Sequence, residues 1–258
     1  MRLFTATAAL VLILVLALGW APGPAWAKGQ TVNLTSLEWP PFTGEHLTDQ
    51  GTNTVVVKAA FKAMGYCAEV EFVPWSRAVA LAREGDEFIG YFPEYLSDSV
   101  AEQFIYSDPI GRSPIGFVER ADAPVVWTTL KDLQGLTIGT VQDYVNTDEF
   151  DRMAATGELK VEAAIDDVSN VRKVLAGRIP LAVIDRNVLE YLLATVPDLT
   201  GHRDALQFNA RQLEDKYLFA CFRKGPEGEK MVGIFNEGLR KLGTGPGAPG
   251  VTAGSVKP

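Results

Sequence analysis

The residues able to do chemistry stand where strands and helices end. Trp39 closes the run Val32 to Leu37 in the corner Glu38-Trp39-Pro40-Pro41-Phe42. Proline cannot continue a sheet ladder and pushes the residue before it to extended geometry, so a large aromatic is presented at a strand tip. The crevice beyond the carboxyl ends of strands is where open α/β sheets take ligands, which makes Trp39 either a binding surface or an aromatic cap on the core. Pro74-Trp75-Ser76-Arg77-Ala78 puts an indole and a guanidinium in the first turn of a helix. Arg77 offers a planar fork that matches a carboxylate, or else pairs with Glu38 or Glu94 at the surface. Trp75 either touches a ligand or packs in the core. Asp143 and Tyr144 follow the apolar run Ile138 to Val141, where Asp143 serves a ligand or caps a helix. Tyr91, Phe92 and Tyr95 end a third run and either line a cleft or pack beneath it. Paired indole faces favour cations, each contact contributing roughly 0.5 to 2 kcal/mol.

Catalytic signals are sparse. His46 and His202 lie in polar loops, and the chain has no Gly-x-Ser-x-Gly elbow, phosphate loop or His/Cys metal spacing. Binding without a cofactor or metal is therefore expected over turnover. Glu38, Asp143 and Asp185 are the carboxylates that an enzymatic alternative would use as general acids.

The elements that must hold these residues alternate. The spacing predicts a strand before Trp39, a helix over 55–64 capped by Asn53, strands over 69–73 and 88–92 and a helix over 76–83 between them. A short turn comes next over 97–104, then an extended stretch over 115–118. The pattern then restarts, with strands over 136–140, 159–163 and 181–184 and helices over 147–155, 167–175 and 187–195. A strand over 216–223 and a helix over 228–242 end the series. The β-α-β order with short loops predicts mostly parallel sheets flanked by helices, in two similar α/β units.

Totals set the class. Lys and Arg number 24 against 32 Asp and Glu, a net of −8, which argues against nucleic acid as a partner. Arg2, the apolar run Ala8 to Leu18 and Ala25-Trp26-Ala27 have the three parts of a secretory signal peptide, expected to be cut after Ala27. The chain beyond Ala27 is long enough for two lobes of roughly 100 residues each. Cys67 and Cys221 are the two cysteines, and an exported chain permits a bridge between them. Residues 244–258 are rich in Gly, Pro, Ser and Ala and are expected to be a disordered tail.

Several motifs fall in an order that resembles the periplasmic solute-binding proteins of the amino-acid-binding family (family 3). They are the Trp39-Pro40-Pro41-Phe42 corner, Tyr106-Ser107-Asp108-Pro109 and the Asp132-Leu133-Gln134-Gly135 turn. Gly177-Arg178 followed by Asp185, and Phe235-Asn236-Glu237-Gly238-Leu239, complete the set. The resemblance spans most of residues 31–242. It implies the two-lobed type II fold, with two mostly parallel sheets, flanking helices and two hinge crossings. Lobe 1 would be 28–112 plus 210–243, and lobe 2 would be 113–209. It implies that Trp39 and Trp75 sandwich the ligand's side chain and that Asp185 holds its amino group. Val100 stands where the family's carboxylate-clamping arginine is expected, and Pro180 replaces an aspartate. An amine is thus expected to be recognised more strongly than a carboxylate.

The expected ligand-binding set is Trp39, Trp75, Arg77, Tyr91, Tyr95, Asp143, Tyr144 and Asp185. The expected function is capture of a small polar or amine-bearing molecule by a periplasmic monomer, for the permease of an ABC importer. A cyclohexadienyl-type dehydratase on the same fold, or a sensing module for a membrane receptor, are the alternatives.

Overall fold

A computed structural model describes residues 30–243. The expected signal peptide over 1–27 and the expected tail over 244–258 lie outside the described residues. Ten strands form one continuous sheet in which two parallel groups are joined by an antiparallel pair. In the first group β1 (Thr31–Ser36) pairs in parallel with β2 (Cys67–Phe72) and β3 (Gly90–Tyr95). In the second, β6 (Thr137–Val141) pairs in parallel with β7 (Lys160–Ala164) and β8 (Leu181–Asp185). Parallel neighbours need crossover connections, and helices supply them. These are α1 (Thr52–Ala63) and α2 (Trp75–Glu84) in the first group, then α4 (Asp148–Ala155) and α5 (Asp167–Leu175) in the second; the short α3 (Asp98–Ala101) falls between the groups.

Two long strands make the crossings. β5 (Gly111–Arg120) and β10 (Glu214–Arg223) pair with each other over Gly111 to Ile115 and Glu214 to Leu218. They then part, β10 running antiparallel to β3 and β5 antiparallel to β8. The short β4 (Phe104–Tyr106) adds to β10 and β9 (Leu206–Phe208) to β5. This is the expected two-lobed α/β architecture, with its two sheets fused through the crossing pair.

α6 (Arg186–Thr195) and α7 (Pro197–Thr200) come after β8, and α8 (Pro226–Lys241) returns to the first group. Phe235 of α8 packs on Phe61 of α1 at 5.0 Å. Gly238 permits that approach, because a Cβ there would sit 2.1 Å from the Ala60 carbonyl oxygen. None of the helices among the described residues is long and apolar enough to cross a membrane.

Three local expectations need correction. Asn53 does not cap α1: Gly51 holds that position, and the Asn53 side chain is buried inside the first turn. The third strand starts at Gly90 and runs through Pro93 to Tyr95, because its outer edge pairs with β10. Cys67 and Cys221 are free thiols, the first exposed and the second buried. The order β2-β1-β3-β10 sets them three strands apart, about 14 Å at the usual strand spacing, beyond the reach of a disulfide.

Candidate ligand-binding cleft

Beyond Ser36 the chain folds into a tight corner in which the Trp39 carbonyl accepts the N–H groups of Phe42 and Thr43. The corner fixes the indole, stacked on Phe42 at 4.7 Å and meeting the Tyr95 ring edge-on at 6.1 Å. Its Nε1–H donates to Oδ2 of Asp167 at 3.1 Å, from the first group of strands to the first residue of α5 in the second. Asp166 caps α5 with its own carboxylate, which leaves Asp167 free to receive the indole.

Trp75 begins α2 and meets Tyr91 and Tyr144 edge-on at 5.4 and 5.9 Å. Its Nε1–H donates to the Asp143 carbonyl at 3.1 Å, and the neighbouring Ser76 hydroxyl donates to the Asp143 carboxylate. Asp143 is held at φ +62°, a left-handed conformation that turns its carbonyl and carboxylate together toward α2. Two indoles of one half are thus each hydrogen-bonded to the other half.

Between them lies a narrow cavity of about 20 Å³, roughly room for one water while the two halves are in contact. Trp39, Trp75, Tyr95 and Tyr144 supply its aromatic walls, and Leu37, Pro93, Val145 and Leu218 its aliphatic ones. Glu94, buried at the end of β3, is the one charged lining residue. It accepts the Tyr91 hydroxyl at 3.0 Å on one oxygen and the Tyr95 N–H at 2.8 Å on the other. Burial pushes its carboxyl up to about 7, against the pull of those donors and of Lys216. Burial likewise raises Asp167 to about 7, partly offset by Trp39.

The expected residues separate. Trp39, Trp75, Tyr95 and Tyr144 come together on the cavity. Asp143 bridges the two halves beside it and does not cap α4, whose cap is Thr147. Tyr91 lies wholly in the core behind the cavity, packed on Phe104 and beside Cys221. Val100 packs against the same cluster. Arg77 is exposed on α2, makes no ion pair among the described residues and is absent from the lining; Glu38 and Glu94 have other partners.

Asp185 is also absent from the lining. One carboxylate oxygen caps α6, accepting the N–H groups of Asn187 and Val188, and the other accepts the Ser113 hydroxyl at 2.5 Å. The Tyr95 hydroxyl contacts the same serine, so a buried chain runs Tyr95–Ser113–Asp185 across crossing strand β5. Burial raises Asp185 to about 6 despite these donors.

Three contributors escape a reading of the sequence: Glu94, Asp167 and Lys216. Lys216, buried on crossing strand β10, donates to the Asn146 carbonyl at 2.7 Å and lies 5.2 Å from the Tyr95 ring centre. For Glu94 a signal existed, a carboxylate at the carboxyl end of a strand, the crevice position. For Asp167 and Lys216 the local sequence carries none.

No protein-family model and no curated protein matches this chain. Solved structures do match in fold. A histidine kinase sensor domain with similarity to periplasmic binding proteins superposes with a TM-score of 0.70 at 21% identity, covering 84% of this chain and 93% of its own. An ancestral arginine-binding protein bound to arginine gives 0.68 at 17% identity, with 83% and 93% covered. The VFT2 domain of Bordetella pertussis BvgS, a double mutant, gives 0.65 at 19% identity, with 82% and 88% covered. The fold is that of the two-lobed solute-binding proteins, as the motif order implied.

Proposed function

We propose that this chain is an exported, monomeric solute-binding protein that captures a small polar or amine-bearing molecule between its lobes and delivers it to an ABC importer. The observation that carries the reading is the aromatic cavity, whose walls come from both halves of the chain and are tied across it by Trp39 and Trp75. Such concave, mostly apolar sites with few polar groups are where small ligands bind. The signal-peptide pattern at the amino terminus supports a periplasmic location. No turnover is assigned, because no nucleophile paired with a base lines the cavity.

A thermal-shift screen against amino acids, polyamines, aromatic acids and sugars tests the reading. A ligand at about 100 times its dissociation constant adds roughly 2.7 kcal/mol of stability, a visible rise in melting temperature. A flat response across all classes would remove the binding reading, and consumption of prephenate or arogenate would replace it with the dehydratase. The likeness to a kinase sensor domain favours delivery to a membrane receptor as the second reading. Genes for a permease and ATPase beside this one support import, whereas a lone kinase gene supports sensing.

A further inference from the structure

Glu94 lines the cavity, buried at its wall, and no cation pairs with it. Its two oxygens each accept one hydrogen bond, from Tyr91 and Tyr95, and no lysine or arginine among the described residues lies in ion-pair contact with it. The buried Lys216 attracts it only at a distance, its ammonium being bound to the Asn146 carbonyl. A buried carboxylate left unpaired is costly, and a ligand cation removes that cost. Aromatic faces on the walls add to the attraction for the same charge. The lining contains no cationic side chain that would receive an anion, Arg77 lying outside it, and the other carboxylate expected to hold an amine, Asp185, is occupied by α6 and Ser113.

Resting on the cleft-binding reading above, we propose that Glu94 is the charge-recognising residue of the site and that the ligand is a small organic cation without a carboxylate, an amine, guanidine or quaternary ammonium held among Trp39, Trp75, Tyr95 and Tyr144. Recognition then needs Glu94 ionised, and its burial makes that depend on pH. The titratable groups facing it are Tyr91 and Tyr95 on β3, Tyr106 on β4, Lys216 and Cys221 on β10, and Tyr144 in the loop before α4. Of these, Lys216 alone favours the carboxylate through its charge.

The test is calorimetric titration of the full chain with putrescine, agmatine and choline, each beside an uncharged or carboxylate-bearing counterpart: 1,4-butanediol, arginine and 3,3-dimethylbutan-1-ol. At least one cation is expected to bind at least tenfold more tightly than its counterpart and to lose at least tenfold in Glu94→Gln, whose amide keeps the side chain's shape. Should that variant fail to fold, the unaltered protein still decides. Near pH 7, cation binding should release protons, read from titrations in buffers of different ionisation enthalpy, and affinity should rise severalfold from pH 6 to pH 8. Binding of neutral or carboxylate probes as tightly as cations, or cation binding with no proton release and no loss in Glu94→Gln, overturns the cation assignment while leaving a binding cleft. Failure of every probe, with a flat response in the broader screen, overturns both.

Discussion

The indole nitrogen of Trp39 and a carboxylate oxygen of Asp167 lie 3.1 Å apart although 128 residues separate them in the chain. The bond is buried and joins the corner after β1 to the start of α5. It fixes the orientation of one wall of the cavity and ties the two halves of the molecule at that wall.

Replacing Trp39 by Phe keeps most of the aromatic area and removes the donor, leaving the Asp167 carboxyl buried without the indole. A loss of about 1–3 kcal/mol is expected in urea unfolding. Asp167→Asn retains an acceptor for the indole and should lose less. Equal losses in the two variants would contradict the contact.

Stability should fall as the pH rises from about 4 to about 7. Glu94 and Asp167 titrate near 7 and Asp185 near 6 in the folded protein, all above the ordinary carboxylate range because of burial. The folded state therefore holds protons that the unfolded chain has released, and its advantage is complete below about pH 4 and lost as pH passes the folded values. The exposed carboxylates paired with arginines, such as Asp122 and Asp198, are shifted the other way and act below that window. Chemical unfolding at half-unit intervals measures the slope. A rising curve over the window would refute the burial of these acids, and Asp167→Asn should flatten its upper part.

Much of this organisation was legible in the sequence. The Pro40-Pro41 stop and the alternation of strands with helices rest on local backbone chemistry and pointed to parallel α/β units, and the motif order pointed to two lobes through its resemblance to the solute-binding proteins. The acids of the cleft were less legible. Asp167 looks like any acid in a first helical turn until Trp39 is brought to it from the other half. Glu94 follows Pro93 in a strand whose pairing with β10 extends it beyond the readable run. Asp185 was expected to meet the ligand, but the start of α6 needs its carboxylate, and crossing strand β5 places Ser113 on its remaining oxygen. The thiols depended on strand order, which local patterns do not reveal.

The two thiols should differ in reactivity. Cys67 is exposed, whereas burial pushes the Cys221 thiol well up and shields it, with the nearby Glu94 charge adding to the effect. A thiol reagent should label one cysteine in the native protein and two after denaturation. Labelling of neither after denaturation would mean a bridge that this sheet order forbids.

Asp185 and Arg77 should also separate. Asp185→Ala removes the cap of α6 and the acceptor for Ser113, with an expected cost of about 1–3 kcal/mol in unfolding. Arg77→Gln changes an exposed side chain and should stay within about 0.5 kcal/mol. Large destabilisation by Arg77→Gln would show a partner that this structure lacks.

The proposed solute site lies between the halves of the chain, against the wall that Trp75 helps to form. Calorimetric titration of Trp75→Ala with the tightest-binding solute from the screen, alongside its melting curve, is the decisive measurement. Trp75 is only partly buried and lines the cavity, so binding should weaken at least tenfold, about 1.4 kcal/mol, while the variant still unfolds in one cooperative transition. Undiminished binding in a folded Trp75→Ala variant would place the ligand elsewhere and rule out this cleft as the site.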